Sequence, residues 1–232
     1  MKVASHQPAF LPWVGLWHKI ASVDHFIISA GTKYTKDAFL NRQRLNGAWL
    51  TLPVSAPEGT PITQVRLAQD GRAILKVQKT LAQHVSGPYR SRLQPLLSRM
   101  ESVEAGDRLY ELNVGLMSDI ASALKLKPID WHVDTTEQEY GANTAERLAH
   151  RIERNVPDAT SYYGGSGSQG YINDPAFKLP VFLQVHSGRY SGGFDPELNI
   201  VQLIAREPDP LDWIMSRGSW YPSEPVKEDN NG

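Results

Sequence analysis

The 232-residue sequence contains no cysteine. That excludes disulfides, thiolate nucleophiles, iron–sulfur clusters and cysteine zinc sites together. No run of 18 apolar residues occurs, so no membrane-spanning helix is expected. A signal peptide is not expected either, because His6, Pro8 and Pro12 interrupt the apolar region it would need and no small-residue cleavage site follows. The expected location is the cytoplasm. Internal repeats are absent, as is any composition break long enough to be a linker between autonomous domains. What is present, 41% hydrophobic and 21% charged residues, suits a globular chain able to bury one substantial core.

The most informative stretch is the beginning. Val3 and Ala4 lead into a His6-Gln7-Pro8 turn, and Pro12, Trp13 and Gly15 then open a segment with apolar residues at helical spacing up to Ile20. This reads as strand, loop and helix. Such a loop lies at the carboxyl end of a strand and the amino end of a helix, where backbone N–H groups favour anions. His6 and Lys19, in or near it, are candidate catalytic residues.

The net charge of −1 conceals an asymmetry. Residues 30–99 hold eleven Lys or Arg against three acids, a net of +8, whereas residues 100–232 hold eleven bases against twenty-one acids. Two solvated surfaces attracting each other within the fold are one explanation. A groove for a polyanion is the other, since Lys and Arg contacts to phosphates dominate non-specific nucleic-acid affinity. Lys36, Arg90 and Arg92 are its candidate nucleic-acid contacts, and the interleaved Tyr34, Phe39, Trp49 and Tyr89 are candidates to stack on bases.

Periodicity and turn residues predict strands at 2–5, 25–29, 48–53, 63–67, 129–133 and 180–186, with a polar loop over 30–46. Helices are predicted at 14–22, 71–84, 89–100, after Gly106 through Leu124, at 143–154 and at 208–217, and a glycine-rich turn at 164–170. The fold class is therefore α/β: a Rossmann-like strand–loop–helix–strand core at the amino end, a mixed sheet, and a helical insertion at about 71–127. One domain is expected over 1–221, followed by an acidic, flexible tail at 222–232.

His6-Gln7-Pro8-x-Phe10-Leu11-Pro12-Trp13-x-Gly15, with Lys19-Ile20 and Asp24, resembles the amino-terminal signature of the WbqC-like family. Similar too are Asn41-Arg42 followed by Trp49-Leu50-Thr51-Leu52-Pro53-Val54, the Tyr163-Gly164-Gly165-Ser166-Gly167 turn with Tyr171 beyond it, and Pro210-Leu211-Asp212-Trp213-Ile214-Met215-x-x-Gly218. Two departures stand out: Gln43 where the family pattern has a second asparagine, and Leu16-Trp17 where it more often has Tyr-Phe. The first bears on the polar contacts of its loop, and the second on packing. Members resemble proteins of O-antigen clusters that help attach an amino acid to an amino sugar. Others resemble bacteriophage amino acid:DNA transferases, which place an amino acid such as glycine on a pyrophosphate-activated methyl group of a thymine-derived base.

The resemblance thus implies a transferase whose partners are a free amino acid and DNA carrying an activated pyrimidine, without a membrane, in a bacterial host cytoplasm for a viral product. No cofactor is implied, although Mg²⁺ often accompanies pyrophosphate. The implied chemistry assigns roles. The donor amine is protonated at neutral pH and needs a base, which His6 suits. Leaving pyrophosphate needs cations and N–H donors, for which Lys19, Arg42 and the amino end of helix 14–22 are candidates. Arg44 or the glycine turn, through Gly165 and Ser166, would clamp the amino-acid carboxylate. Asp24 would orient His6 or Lys19, unless it merely ends the helix. Gln7, Trp13, Lys33, Asn41 and Tyr171 complete the candidate substrate-binding set.

Each assignment has a plainer counterpart. His6 would otherwise cap its strand end, Trp13 and Trp17 lie i, i+4 on one helix face as core residues do, and Arg42 and Arg44 would sit in a solvated loop. No metal-ligand spacing is visible, and His18, His25, His84, His132, His150 and His186 read as structural or surface residues. Two rival functions stand beside the transferase. A nucleotidyltransferase would also carry histidines at the first strand–helix junction, but His18 follows His6 by twelve residues, much farther than the usual three or so. A non-catalytic nucleic-acid-binding protein would use the basic stretch alone.

Overall fold

A computed structural model describes residues 1–36, 38–138, 141–165, 168, 174–175, 177–187 and 199–223. Its centre is a six-stranded mixed sheet. β1 (Lys2–His6) pairs in parallel with β2 (His25–Ser29) on one side and with β8 (Ser161–Gly164) on the other. β2 continues in parallel to β7 (Asp130–Asp134), and β8 to β9 (Val181–His186). β10 (Gly218–Pro222) closes the β9 edge antiparallel, giving the order β10-β9-β8-β1-β2-β7. Outside this sheet, β3 (Arg42–Leu45) and β4 (Ala48–Thr51) form a hairpin, and β5 (Val54–Ser55) pairs with β6 (Arg66–Leu67).

Alternation along the strands sends apolar side chains to both faces, as parallel sheets require. Ala4, Phe26 and Ile28 face the larger core, with α1 (Val14–Ala21), α6 (Ile200–Arg206), α7 (Pro210–Met215) and three intervening helices. Those three, α2 (Gly71–His84), α3 (Gln94–Glu101) and α4 (Leu109–Ala123), lie between β6 and β7, in the span read as an insertion. Val3 and Ile27 face the smaller core under α5 (Thr144–Asn155). α5 forms because Ala145, Leu148 and Ile152 repeat at three and four residues, and because the Asn143 side chain accepts the Glu146 N–H at its start.

Several boundaries differ from the sequence reading. The supposed loop 30–46 contains β3, whose turn is made by Asn46 and Gly47, both at positive φ. Residues 63–67 begin as 3-10 turn (Ile62–Gln64), and the helix expected at 89–100 is a 3-10 turn (Arg90–Leu93) running into α3. β8, α6 and β10 were not foreseen. Pro222, assigned to the tail, ends β10, while 224–232 lie outside the described residues. No described helix is long and apolar enough to cross a membrane.

Candidate active site

The chain leaves β1 toward β2 on one side, while β8 returns to its other side, so the strand order reverses at β1. In open α/β sheets the crevice at the carboxyl ends of such strands is the preferred ligand site. A cavity of about 480 Å³ occupies that place, lined by the ends of β1 (Ser5, His6, Gln7), β2 (Ser29, Thr32) and β8 (Tyr162, Gly165, Ser168), by Lys19 of α1 and by Thr144, Arg147, Leu148 and Arg151 of α5.

His6 is half-buried at the end of β1. Its Nδ1–H donates to the Gln7 carbonyl at 2.8 Å, so in the neutral ring Nε2 carries the lone pair. Burial, with the Lys19 charge nearby, lowers its pKa to about 4, which keeps the ring neutral at physiological pH. Lys19 is almost wholly buried, its Nζ donating to the Ser5 carbonyl at 2.9 Å, and burial lowers its pKa to about 8. Gln7 Nε2 fastens the loop by donating to Thr32 Oγ1 (3.0 Å) and to the Lys33 carbonyl (3.3 Å). Across the cavity, buried Asp134 accepts from Arg154 at 2.6 Å and lies 3.4 Å from Arg151 Nε. No carboxylate lines the cavity among the described residues, whereas one lysine and two arginines do.

Of the candidate residues, His6, Gln7, Lys19 and Gly165 are brought together here. Lys33 meets them only through its carbonyl. Asp24 is not among them: it sits at the opposite end of β1, where its carboxylate accepts the Lys2 N–H at 2.8 Å, so it orients neither His6 nor Lys19. Trp13 caps α1, 37% exposed and edge-on to His186. Its ring packs so closely over Gly15 that a Cβ there would lie 2.1 Å from it, which accounts for the glycine. Asn41 is buried, accepting from Tyr34 and donating to the Leu52 carbonyl. Ser166 and Tyr171 lie outside the described residues.

Arg42 and Arg44 belong to a second feature. From β3 their guanidiniums lie 4.2 and 5.1 Å from the Trp49 ring of β4, and Phe39 stands 6.0 Å from the same ring. Trp49 and Phe39 are 44% and 45% exposed. The hairpin is tied to the loop after β1, since Gln43 Nε2 donates to the carbonyl of Leu11, which has the strained φ of 45°, and Phe10 N–H donates to the Phe39 carbonyl. Gln43, the departure from the family pattern, is thus a buried support of the first loop. Elsewhere in the basic stretch, Arg72, Lys76 and Lys79 are exposed on α2, whereas four arginines are engaged within the fold. Arg90 binds the Val85 carbonyl, Arg92 the Glu207 and Pro208 carbonyls, Arg66 the Gly106 carbonyl, and Arg99 pairs with Asp119.

Sequence reasoning missed Arg147 and Arg151. The only signal available was their i, i+4 spacing on a predicted helix, and that spacing also describes a solvated face. Among the described residues no group of three His, Asp or Glu side chains is arranged to hold a metal ion.

Comparison with known proteins adds the family. The WbqC-like protein family matches over residues 7–207, which takes in the loop after β1, the hairpin and α5. The chain belongs to that family. A relative in Mycobacterium tuberculosis (strain ATCC 25618 / H37Rv), named "Uncharacterized protein Rv1507c", is 26% identical over 241 residues, covering 90% of this chain and 97% of the relative. No solved structure matches. Membership of the WbqC-like family is consistent with a transferase-type role.

Proposed function

We propose that the protein joins an amino acid, glycine being the simplest, through its amine to a pyrophosphate-activated methyl group of a modified thymine or uracil base in DNA. The C–N bond forms as the C–O bond to pyrophosphate breaks, and pyrophosphate leaves with that electron pair. The attacking nitrogen gives up its proton to His6 Nε2. The observation that carries this reading is a neutral histidine and a buried lysine in one cavity lined by cations and hydroxyls, without a described carboxylate.

Such a cavity favours anions, and its Lys19 charge supports the leaving group. An anionic substrate also offsets Lys19 and raises the basicity of His6 once bound. The exposed Trp49 and Phe39 flanked by Arg42 and Arg44 provide a surface on which an unpaired nucleic-acid strand would stack and pair. The engagement of Arg66, Arg90, Arg92 and Arg99 within the fold favours a second reading with a smaller acceptor, a nucleotide-linked amino sugar.

The test is turnover of DNA bearing the pyrophosphate-activated base with labelled glycine. Covalent incorporation with stoichiometric pyrophosphate release is expected. Pyrophosphate release from ATP and an amino acid alone would contradict the reading, and incorporation only into a sugar nucleotide would select the second acceptor.

A further inference from the structure

The cavity draws its cations from two sides of the sheet end, Lys19 beside the neutral His6 on one and two arginines on the other. β1 and α1 supply His6 and Lys19, and α5 supplies Arg147 and Arg151, one helical turn apart. Arg151 is held at its Nε by Asp134, itself buried and fixed by Arg154 and by the Thr136 N–H. A guanidinium anchored in this way is a preorganised fork, suited to the planar two-oxygen face of a carboxylate.

The lining decides what such a fork would hold. An α-amino acid brings one cation and one anion, and no described residue of the cavity is an acid that would grip its ammonium. The carboxylate is therefore the handle by which this wall captures it. The same cations favour the neutral, nucleophilic form of the amine by opposing its protonation. We infer that Arg147 and Arg151 form the subsite for the α-carboxylate of the donor, facing the wall of His6 and Lys19 where the amine reacts and pyrophosphate departs. This inference rests on the amino-acid-transfer reading above.

Calorimetric titration of the full chain, saturated with pyrophosphate near neutral pH, separates the two. The wild type should bind glycine at least about tenfold more tightly than glycinamide, which lacks the carboxylate charge. The double variant Arg147→Gln, Arg151→Gln should lose about tenfold to a hundredfold in glycine affinity, bind glycinamide as before, and keep its pyrophosphate affinity within about threefold. Asp134 retains Arg154 in that variant, and the single Arg147→Gln, which leaves the buried carboxylate untouched, provides the same readout if the double variant does not fold. Unchanged glycine affinity would overturn the inference while leaving the transfer reading intact. So would a loss of pyrophosphate affinity as large as the loss for glycine, which would make these arginines part of the pyrophosphate site. A wild type that binds pyrophosphate but no amino acid would overturn the transfer reading, and the inference with it.

Discussion

His6 and His18 have the same depressed pKa, about 4, and opposite meanings. His6 spends one ring nitrogen on the adjoining backbone and lines a cavity. His18 is sealed in: Gln184 Nε2 donates to its Nδ1 at 2.8 Å, its ring bonds the Gly218 backbone, and Trp220 stacks on it at 5.3 Å. Gly218 lies so near that a Cβ would come within 2.2 Å of the ring. Burial depresses both, so the shift alone does not mark a site. What distinguishes His6 is its place in the lining of a cavity that also holds Lys19, Arg147 and Arg151.

The largest effects should separate the two histidines. His6→Ala is expected to lower turnover by about 10²–10⁴-fold, the usual contribution of a general base, with little change in Tm. His18→Ala should leave the turnover of folded protein within a few-fold while costing about 2–4 kcal/mol of stability through lost packing and an unpaired Gln184, measurable by denaturant unfolding. A reversal of these phenotypes would invert the comparison.

Acid should affect both together. The folded values lie below the ordinary histidine value of 6.5, so the unfolded chain binds protons first as pH falls. Stability from these two groups is complete above about 6.5 and drains toward pH 4. Thermal melts across that window should show the fall, and His18→Gln should flatten it. On the alkaline side Lys19, lowered to about 8, loses its charge as pH rises through that value. Pyrophosphate affinity should decline there, and Lys19→Gln should abolish the pH dependence while weakening binding at neutral pH.

Smaller effects concern the basic stretch. Trp49→Ala should weaken single-stranded DNA binding by the about 1–3 kcal/mol of one stacked base, read by fluorescence anisotropy. Arg42→Ala and Arg44→Ala should each lower the salt slope by about one unit. Arg90→Ala and Arg92→Ala should change it less, because those guanidiniums are held in place by carbonyls of the fold while keeping their charge. A salt response equally sensitive to both pairs would move the nucleic-acid surface off the hairpin.

The same contrast between local and distant partners separates what was legible in the sequence from what was not. β1, α1, β2 and α2 are encoded by nearby residues, by apolar spacing and by the Asp70 cap of α2, and their expected limits lie within a residue of the observed ones. α6 escaped because six of its seven residues are buried, which erases the one-sided pattern of a surface helix. β8 has only four residues, and β10 carries a glycine and a proline at its ends, so their pairing depends on neighbours far away in the chain. In the site, the pairing of His6 with Lys19 was legible because one strand, loop and helix carry both. Arg147 and Arg151 arrive from α5, and only the sheet order places that helix across from β1. Asp24 failed for the converse reason, since adjacency to the helix end put it at the wrong end of the strand.

The most direct test of the central claim is a ¹⁵N NMR titration of the histidine rings with and without pyrophosphate. His6 is predicted to be a neutral Nδ1–H tautomer at pH 7, to titrate near 4 in the free protein, and to shift upward when pyrophosphate binds, while His18 stays unmoved. A His6 already protonated at pH 7, or one indifferent to pyrophosphate while His18 responds, would contradict the account.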